Sequence, residues 1–140
     1  MVDMIALARR FAVLPRMLYR RLDAELEPYN ISTGCYPYLL AIYYNSGCSQ
    51  QLIADKLRTD KAAVTRGLRK LLECGYLRRH RNPDNGREWQ LYCTEQGEQF
   101  CCGVEEIVRT ELGTILEPLS SDEQQLLAEM LSKVVLLDQR

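Results

Sequence analysis

The stretch from Ser49 to Thr94 constrains the fold of this 140-residue chain most strongly, because it holds two helical segments separated by only three residues. The first is predicted over 50–57, with Ser49 as its N-cap and its apolar residues on one face. The second is predicted from residue 61 to about residue 74. Residues 58–60 leave room only for a tight turn, in which Asp60 can accept hydrogen bonds from the free amides of the second helix. The pattern predicts a helix-turn-helix.

The second of these helices has two distinct faces. Its apolar residues recur at helical spacing and should be buried, namely Val64, Leu68, Leu71 and Leu72. The opposite side is basic and polar, with small residues near its N-terminal end that permit close approach to another surface. A helix that enters the major groove of double-stranded DNA needs these properties. The residues on this side that could reach phosphates or base edges are Lys61, Ala62, Thr65, Arg66, Arg69 and Lys70.

A basic hairpin is predicted to follow. Gly75 ends the second helix, and residues 76–81 and 88–93 alternate as strands do. The intervening segment 82–86 is dense in turn-forming residues. Four arginines lie on this hairpin, where they could follow a phosphate backbone or enter a minor groove: Arg78, Arg79, Arg81 and Arg87. Helix, turn, helix and basic hairpin together predict a winged helix.

The sequence resembles the MarR family of bacterial transcription regulators. The resemblance rests on D-K-x-x-V-T-R-x-L-x-x-L-x-x-x-G-Y-L-x-R from Asp60 to Arg79, and on L-x-x-T-x-x-G from Leu91 to Gly97. Between them lies a wing tip similar to the family's D-x-R, here Asp84-Asn85-Gly86-Arg87 and one residue longer. The resemblance implies that Arg87 enters the minor groove and that Asp84 orients neighbouring arginines.

Long apolar stripes flank this unit. The spacing predicts a first helix from Met4 to Leu26 that Pro15 bends or divides. A second helix is predicted to be capped within Ser32-Thr33-Gly34 and to end at Asn45. A long helix should follow Thr94 and end near Glu117. Ser120 and Glu123 then form a capping box for a last helix with an apolar stripe that reaches Leu137.

The expected architecture is therefore mainly α, with one small two-stranded wing in a single domain over 1–140. The winged helix-turn-helix lobe is expected over 32–94. The segments 1–27 and 95–140 carry more apolar surface than one compact lobe can bury, so they are expected to be dimerisation helices of a homodimer. The MarR resemblance implies the same arrangement.

Charge is distributed unevenly along the chain. The net charge is only −1, but residues 49–93 carry ten basic and five acidic side chains, whereas residues 94–140 carry three and ten. Binding to a polyanion depends on the local field of the contacting face, so this segregation favours a nucleic-acid partner. The predicted partner is double-stranded DNA with a pseudo-palindromic operator, contacted in the homodimer by paired helices.

The predicted DNA-contacting set combines the start of the first helix of the motif, the outward face of the second and the wing. Its members are Ser49, Gln50, Lys61, Ala62, Thr65, Arg66, Arg69, Lys70, Arg79, Arg81, Asp84 and Arg87. The function predicted from this set is transcription regulation, with repression as the leading role. A winged helix that contacts only an acidic protein is the alternative, although such a module has little need for a cationic wing. An enzyme is disfavoured, since no catalytic motif or cofactor site is recognisable.

Tyrosines are concentrated in the first two helices, and four of them form a candidate pocket for a small aromatic effector: Tyr19, Tyr36, Tyr38 and Tyr43. The MarR resemblance implies an effector between the DNA-binding lobe and the dimerisation helices. Core packing is the simpler explanation for amphipathic rings at helical spacing.

The six cysteines are expected to be reduced, because no signal sequence or membrane-spanning run points away from the cytoplasm. Their spacing, with one histidine, disfavours a zinc site. Cys35 and Cys48 lie near helix N-termini and are the candidates for a redox-sensing variant of the regulator. Burial as small hydrophobic residues is the favoured reading, so oxidants are not expected to release the protein from DNA.

Overall fold

The computed structural model describes residues 1–136, so Leu137 of the last apolar stripe lies outside the described residues. The chain is mostly helical with one two-stranded antiparallel sheet, which confirms the predicted fold class. The elements in order are α1 (Met4–Leu26), a 3-10 turn (Glu27–Tyr29), α2 (Tyr36–Tyr44), α3 (Gln50–Leu57), α4 (Lys61–Glu73), β1 (Leu77–Arg81), β2 (Trp89–Cys93), α5 (Glu95–Ile115) and α6 (Ser121–Val134).

Side-chain caps set where the helices of the central unit begin. The Ser49 hydroxyl accepts a hydrogen bond from the Leu52 amide at 3.2 Å, and the Asp60 carboxylate accepts one from the Ala63 amide at 2.7 Å. Each cap satisfies an amide that has no partner within its own helix. The capping box predicted at Ser120 is present, with Glu123 as its reciprocal partner. These local signals explain why the helix starts were predictable.

The structure corrects two points about the first half of the chain: Pro15 does not divide the first helix, and no side chain caps the second. Helix α1 passes Pro15 undivided; the side chains on either side are exposed, so solvent can satisfy the carbonyl that Pro15 leaves without a donor. Helix α2 is not capped by the Ser32 or Thr33 side chain. Instead, the backbone carbonyl of Ser32 accepts from the amides of Cys35 and the following residue, which forms a turn, and the helix begins next to Pro37.

The sheet is the predicted hairpin. Strand β1 pairs antiparallel with β2 in a register that sets Leu77 opposite Cys93 and Arg81 opposite Trp89. A bridge between Cys48 and Leu91 ties the loop before α3 to the other edge of β2. Gly75 has a φ of 80°, so it ends α4 as predicted and turns the chain into β1.

The core lies inside the winged helix-turn-helix unit. Its fully buried side chains come from the C-terminal half of α1, from α2, α3, α4 and β2, and from the first half of α5, and include Leu22, Leu39, Ile42, Ile53, Leu68, Leu91 and Val104. The N-terminal half of α1 and most of α6 are exposed. No helix within residues 1–136 is long and apolar enough to cross a membrane.

The start of α5 is held very close to the wing. A Cβ added to Gly97 would collide with the backbone carbonyl oxygen of Tyr76. The Thr94 hydroxyl caps α5 at the Gly97 amide and donates to the carbonyl of Gly75 at 2.7 Å. Helix α5 therefore fixes the base of the wing to the rest of the lobe.

Candidate nucleic-acid interface

Helix α4 presents the polar face expected of a recognition helix. Val64, Leu68 and Leu71 are buried, while the outward side chains are exposed: Lys61, Ala62, Thr65, Arg66, Arg69 and Lys70. Within residues 1–136, the guanidinium groups of Arg66 and Arg69 form no hydrogen bond or ion pair. Both are therefore available to an external partner.

Thr65 connects the two helices of the motif. Its hydroxyl donates to the Lys61 carbonyl at 2.9 Å and lies 3.5 Å from the side-chain oxygen of Gln50. Gln50 and Ser49 occupy the start of α3, so the structure brings these residues to the same end of the unit as Lys61. A partner at this end would meet both helices at once.

The packing of α4 on α2 depends on a glycine that was not predicted to matter from the sequence. Gly67 is buried in the middle of α4, and a Cβ at this position would collide with the ring of Tyr38 from α2. The bare backbone lets the ring pack directly beneath the helix. A glycine inside an otherwise regular helix was the available signal, since it lowers helix stability unless close packing requires it.

The wing arginines stack on aromatic rings, which the sequence analysis also missed. The guanidinium carbons of Arg79 and Arg81 lie 4.1 Å and 3.7 Å from the ring centroid of Trp89. On the other face of the hairpin, that of Arg78 lies 4.6 Å from the ring centroid of Tyr92. Strand alternation predicts that these residues lie on two faces. Which arginine meets which ring depends on the register of the hairpin, which the alternation does not give.

The wing tip is held by its own asparagines. The side-chain oxygen of Asn82 accepts from the Asp84 amide at 2.9 Å, and that of Asn85 accepts from the Arg87 amide at 3.2 Å. Among the described residues, the carboxylate of Asp84 makes no ion pair with an arginine, so the implied orienting role of Asp84 has no contact here to support it. The guanidinium of Arg87 is likewise without a partner in residues 1–136.

A groove of about 240 Å³ separates the wing from the helix-turn-helix. Among its lining residues are Ser49, Gln50, Lys61, Arg87 and Trp89. It thus brings together predicted contact residues from the starts of α3 and α4 and from the wing. Lys61 from α4 and Arg87 from the wing bring positive charge to this groove, and Glu88 brings one carboxylate.

Lys70 stands apart from the other predicted contact residues. It lines a separate open cavity of about 470 Å³ at the far end of α4, together with Asp23, Glu27, Asn30 and Ser32. Asp23 from α1 and Glu27 from the 3-10 turn place two carboxylates at the same cavity. Lys70 is therefore less suited to a phosphate contact than Lys61.

The four tyrosines proposed as an effector pocket line neither the cavity at Lys70, nor the groove at the wing, nor the groove between α1 and α6. Burial, and secondly the nearby Tyr19, raises the pKa of Tyr36. The hydroxyl of Tyr43 lies 3.8 Å from the Cys102 sulfur, and Tyr38 lies under Gly67. Tyr19 and Tyr36 remain neighbours between α1 and α2, whereas the other two serve separate contacts.

The cysteines differ in how their environment affects the thiol. Cys48 is 8% exposed, and burial raises its pKa to about 11. Cys35 is partly buried at the start of α2. A hydrogen bond from the Cys101 thiol lowers the pKa of Cys93, and the same contact raises the pKa of Cys101. Nothing in the spacing of the cysteines identified Cys93. Within residues 1–136, no three His, Cys, Asp or Glu side chains are arranged to hold a metal ion.

An apolar groove lies outside the winged unit. It has a volume of about 450 Å³ between α1 and α6, and its apolar lining residues are Leu7, Phe11, Val13, Leu14, Met17, Leu127 and Leu131. Phe11 is 55% and Met130 is 50% exposed. Apolar surface of this extent on a folded chain marks an interaction site.

Two helices joined by a tight turn, followed by an antiparallel basic hairpin, define a winged helix-turn-helix protein. Residues 29–88 match the model of the MarR family. The winged helix-turn-helix of this chain is therefore similar to that of the MarR family of transcriptional regulators.

Relatives and solved structures show the same similarity. The HTH-type transcriptional regulator BilQ of Clostridioides difficile is 34% identical over 82 residues, which are 59% of this chain and 55% of that protein. A MarR transcriptional regulator from Methanosarcina mazei has the same fold, with a TM-score of 0.86, 23% identity and coverage of 91% and 92% of the two chains. A MarR family transcription regulator from Listeria monocytogenes, solved with 26mer DNA, is 25% identical with a TM-score of 0.85. The match covers 96% of this chain and 87% of that one.

Proposed function

We propose that this protein is a homodimeric transcription regulator that binds double-stranded DNA sequence-specifically and represses in the absence of a small aromatic effector. The observation that carries the proposal is the cationic surface of α4 and the wing around their shared groove. Arg66, Arg69 and Arg87 point outward there with no partner among the described residues. The Listeria monocytogenes relative, which was solved with DNA, supports the same partner.

In this proposal the outer face of α4 enters the major groove. Arg66 and Arg69 are long, bidentate donors suited to guanine edges, and Lys61 and Thr65 can contact phosphates. Ala62 leaves space for the close approach of the helix. Cytoplasmic DNA is the expected target, since the regulator must reach a promoter.

The wing is proposed to contact the flanking minor groove. Arg87 stands at its tip, and Arg79 and Arg81 stand along β1. A narrow minor groove concentrates negative potential, which favours inserted arginines. The wing then fixes the orientation of the protein while α4 reads bases.

A second copy is proposed to cover the apolar groove between α1 and α6. Residues that line this groove, such as Leu14 and Leu131, are 41% and 40% exposed in one chain. Because identical chains associate through two-fold symmetry, the two α4 helices would meet successive turns of DNA, about 34–36 Å apart. This spacing predicts a pseudo-palindromic operator.

The effector is proposed to bind beside Tyr19 and Tyr36, where α1 meets α2. Helix α1 belongs to the proposed dimer interface and α2 packs beneath α4 through Tyr38. A ligand that prefers one angle between these helices would change the separation of the two recognition helices. Release of the protein from its operator by small aromatic acids, lost in Tyr36→Ala, would test this step.

The experiment that tests the function is binding to duplex DNA from just upstream of the coding sequence, compared with a scrambled duplex across a salt series. The proposal predicts selective binding that weakens steeply with salt, because lysines and arginines release counterions from phosphates. Equal binding to both duplexes at every salt concentration would contradict a sequence-specific regulator of its own promoter.

A further inference from the structure

Trp89 occupies a special position in the wing. It is the first residue of β2 and stands directly opposite Arg81, with Arg79 diagonal to it on the same face of the hairpin. It is half-buried and lies against the hydrophobic core. The wing arginine pair, Arg79 and Arg81, therefore shares one aromatic side chain.

The stacking leaves most hydrogen-bonding groups of the pair unused. The guanidinium carbons lie over the indole ring, 4.1 Å and 3.7 Å from its centroid, so both contacts are made by the face of the ring. A guanidinium carries its N–H donors along its edge, where stacking does not consume them. Arg81 donates one hydrogen bond to the Gly86 carbonyl at 3.1 Å. The remaining donors can meet phosphate oxygens.

Trp89 also borders the groove between the wing and the helix-turn-helix. The same side chain lines this groove beside Arg87 and Lys61. The ring thus contacts the arginine pair and also borders the groove at the N-terminal ends of α3 and α4. A change at Trp89 would alter the cationic surface without removing any charge.

We propose that Trp89 is a positioning residue for DNA binding, which holds the wing arginine pair in the orientation that contacts the phosphate backbone. This inference rests on the proposed DNA-binding function. Two guanidiniums two residues apart on one strand repel each other, and the π system of the ring offsets that repulsion. Ordering both side chains beforehand reduces the rotamer entropy lost when DNA binds.

A mutant cycle separates this role from a general effect on folding. Affinity for the duplex that the wild type binds selectively is measured for Trp89→Leu, for the double variant Arg79→Ala/Arg81→Ala, and for the triple variant. If Trp89 acts through the pair, Trp89→Leu weakens binding by roughly 10-fold in the wild type and by less than about two-fold when the pair is absent. An equal loss in both backgrounds would overturn the proposal.

The salt dependence and a conservative variant provide two further readouts. The salt slope should fall by about two in the variant without the pair, as expected for two phosphate contacts, and the triple variant should have the same slope. Trp89→Phe keeps an aromatic face and should stay within about three-fold of wild type. The matched control is Arg78→Ala on the opposite face of the hairpin. Its effect on DNA affinity should be the same with Trp89 present and in the Trp89→Leu background.

Fluorescence tests the stacking without DNA. Trp89 is the only tryptophan of the chain, so the emission of the intact protein reports on this ring. Emission should change in Arg79→Ala/Arg81→Ala and not in Arg78→Ala; an unchanged spectrum in the first variant would overturn the stacking. If the wild type binds no duplex at all, the proposed function fails and the positioning role with it. If the wild type binds DNA and the cycle is additive, only the role of Trp89 fails.

Discussion

Arg66 is the side chain on α4 whose chemistry and freedom best suit base recognition. Its guanidinium has no partner within residues 1–136 and projects from the face opposite Val64. Arg69 is similarly placed one turn later, whereas Lys70 faces Asp23 and Glu27 across another cavity. At the scale of single residues, position on the helix rather than charge alone separates these three cations.

Removing Arg66 tests base recognition. Arg66→Ala should weaken binding to the specific duplex by about 1–3 kcal/mol and relax the preference at one base position. The control is Arg20→Ala, which removes an exposed arginine of α1 and should leave affinity nearly unchanged. Competition binding with duplexes altered at single positions measures both the loss of affinity and the change in base preference. Loss of affinity that is equal for specific and scrambled duplexes would assign Arg66 to phosphate contact instead.

Cys48 illustrates how burial decides the reactivity of a residue. Its folded pKa of about 11 lies above the ordinary thiol value, so folding stabilises the neutral thiol and the thiolate is scarce below that pH. Alkylation of Cys48 in the native protein should therefore stay slow from pH 7 to pH 9 and become fast only on unfolding. Mass spectrometry of labelled peptides measures this, with exposed Cys102 as the reactive control. Labelling of Cys48 as fast as Cys102 would restore Cys48 as a redox candidate.

Among the elements, those bounded by local chemistry were predictable and those positioned by distant contacts were not. The starts of α3 and α4 followed from Ser49 and Asp60, since a cap needs only residues a few positions away. The start of α2 was misplaced because a backbone turn at Ser32 replaced the side-chain cap. The arginine stacking on Trp89 depended on the hairpin register, which a long turn leaves open.

The packing of α4 on α2 through Gly67 and Tyr38 could not be predicted from the sequence either. A substitution at Gly67 tests this contact. In Gly67→Ala the new Cβ would collide with Tyr38, so either the ring or the helix must move. Overpacking should cost about 1–3 kcal/mol, and the higher helix propensity of alanine should offset about 1 kcal/mol, so the net loss of stability should reach about 2 kcal/mol. Affinity for the operator should fall as α4 shifts.

The control for that substitution is Gly113→Ala. Nothing lies within 4 Å of a Cβ at Gly113 in α5, so alanine there should be neutral or stabilising by up to about 1 kcal/mol. Urea unfolding of both variants compares the two sites. A Gly67→Ala variant that is as stable as Gly113→Ala would show that Tyr38 does not hold the helix.

For the whole molecule, the cationic surface lies on α4 and the wing, whereas the exposed apolar side chains lie on α1 and α6. The central unit buries its own core, while α1 and α6 leave Phe11, Leu14 and Leu131 exposed. Composition and stripe length indicated this excess of apolar surface, and part of it lines a groove of about 450 Å³ between the two helices. The basic segment of the sequence, residues 49–93, likewise corresponds to α3, α4 and the wing.

Association through the groove between α1 and α6 is tested by Leu131→Asp. A two-fold interface contains the substitution twice, and each lost leucine contact is worth about 1.5–3 kcal/mol, so the dimer dissociation constant should rise at least ~100-fold. Sedimentation velocity across a concentration series measures this constant. Gln125→Asp adds the same charge to an exposed polar position of α6 and should leave the dimer intact. A fully dimeric Leu131→Asp variant would contradict an interface at this groove.

The most direct test of a homodimeric, sequence-specific regulator is selection from a pool of random duplexes with the purified wild-type protein. The account predicts enrichment of one inverted repeat, with half-site centres about 10–10.5 base pairs apart, since two α4 helices must enter successive major grooves. Recovery of a single half-site, or of no enriched sequence, would contradict it.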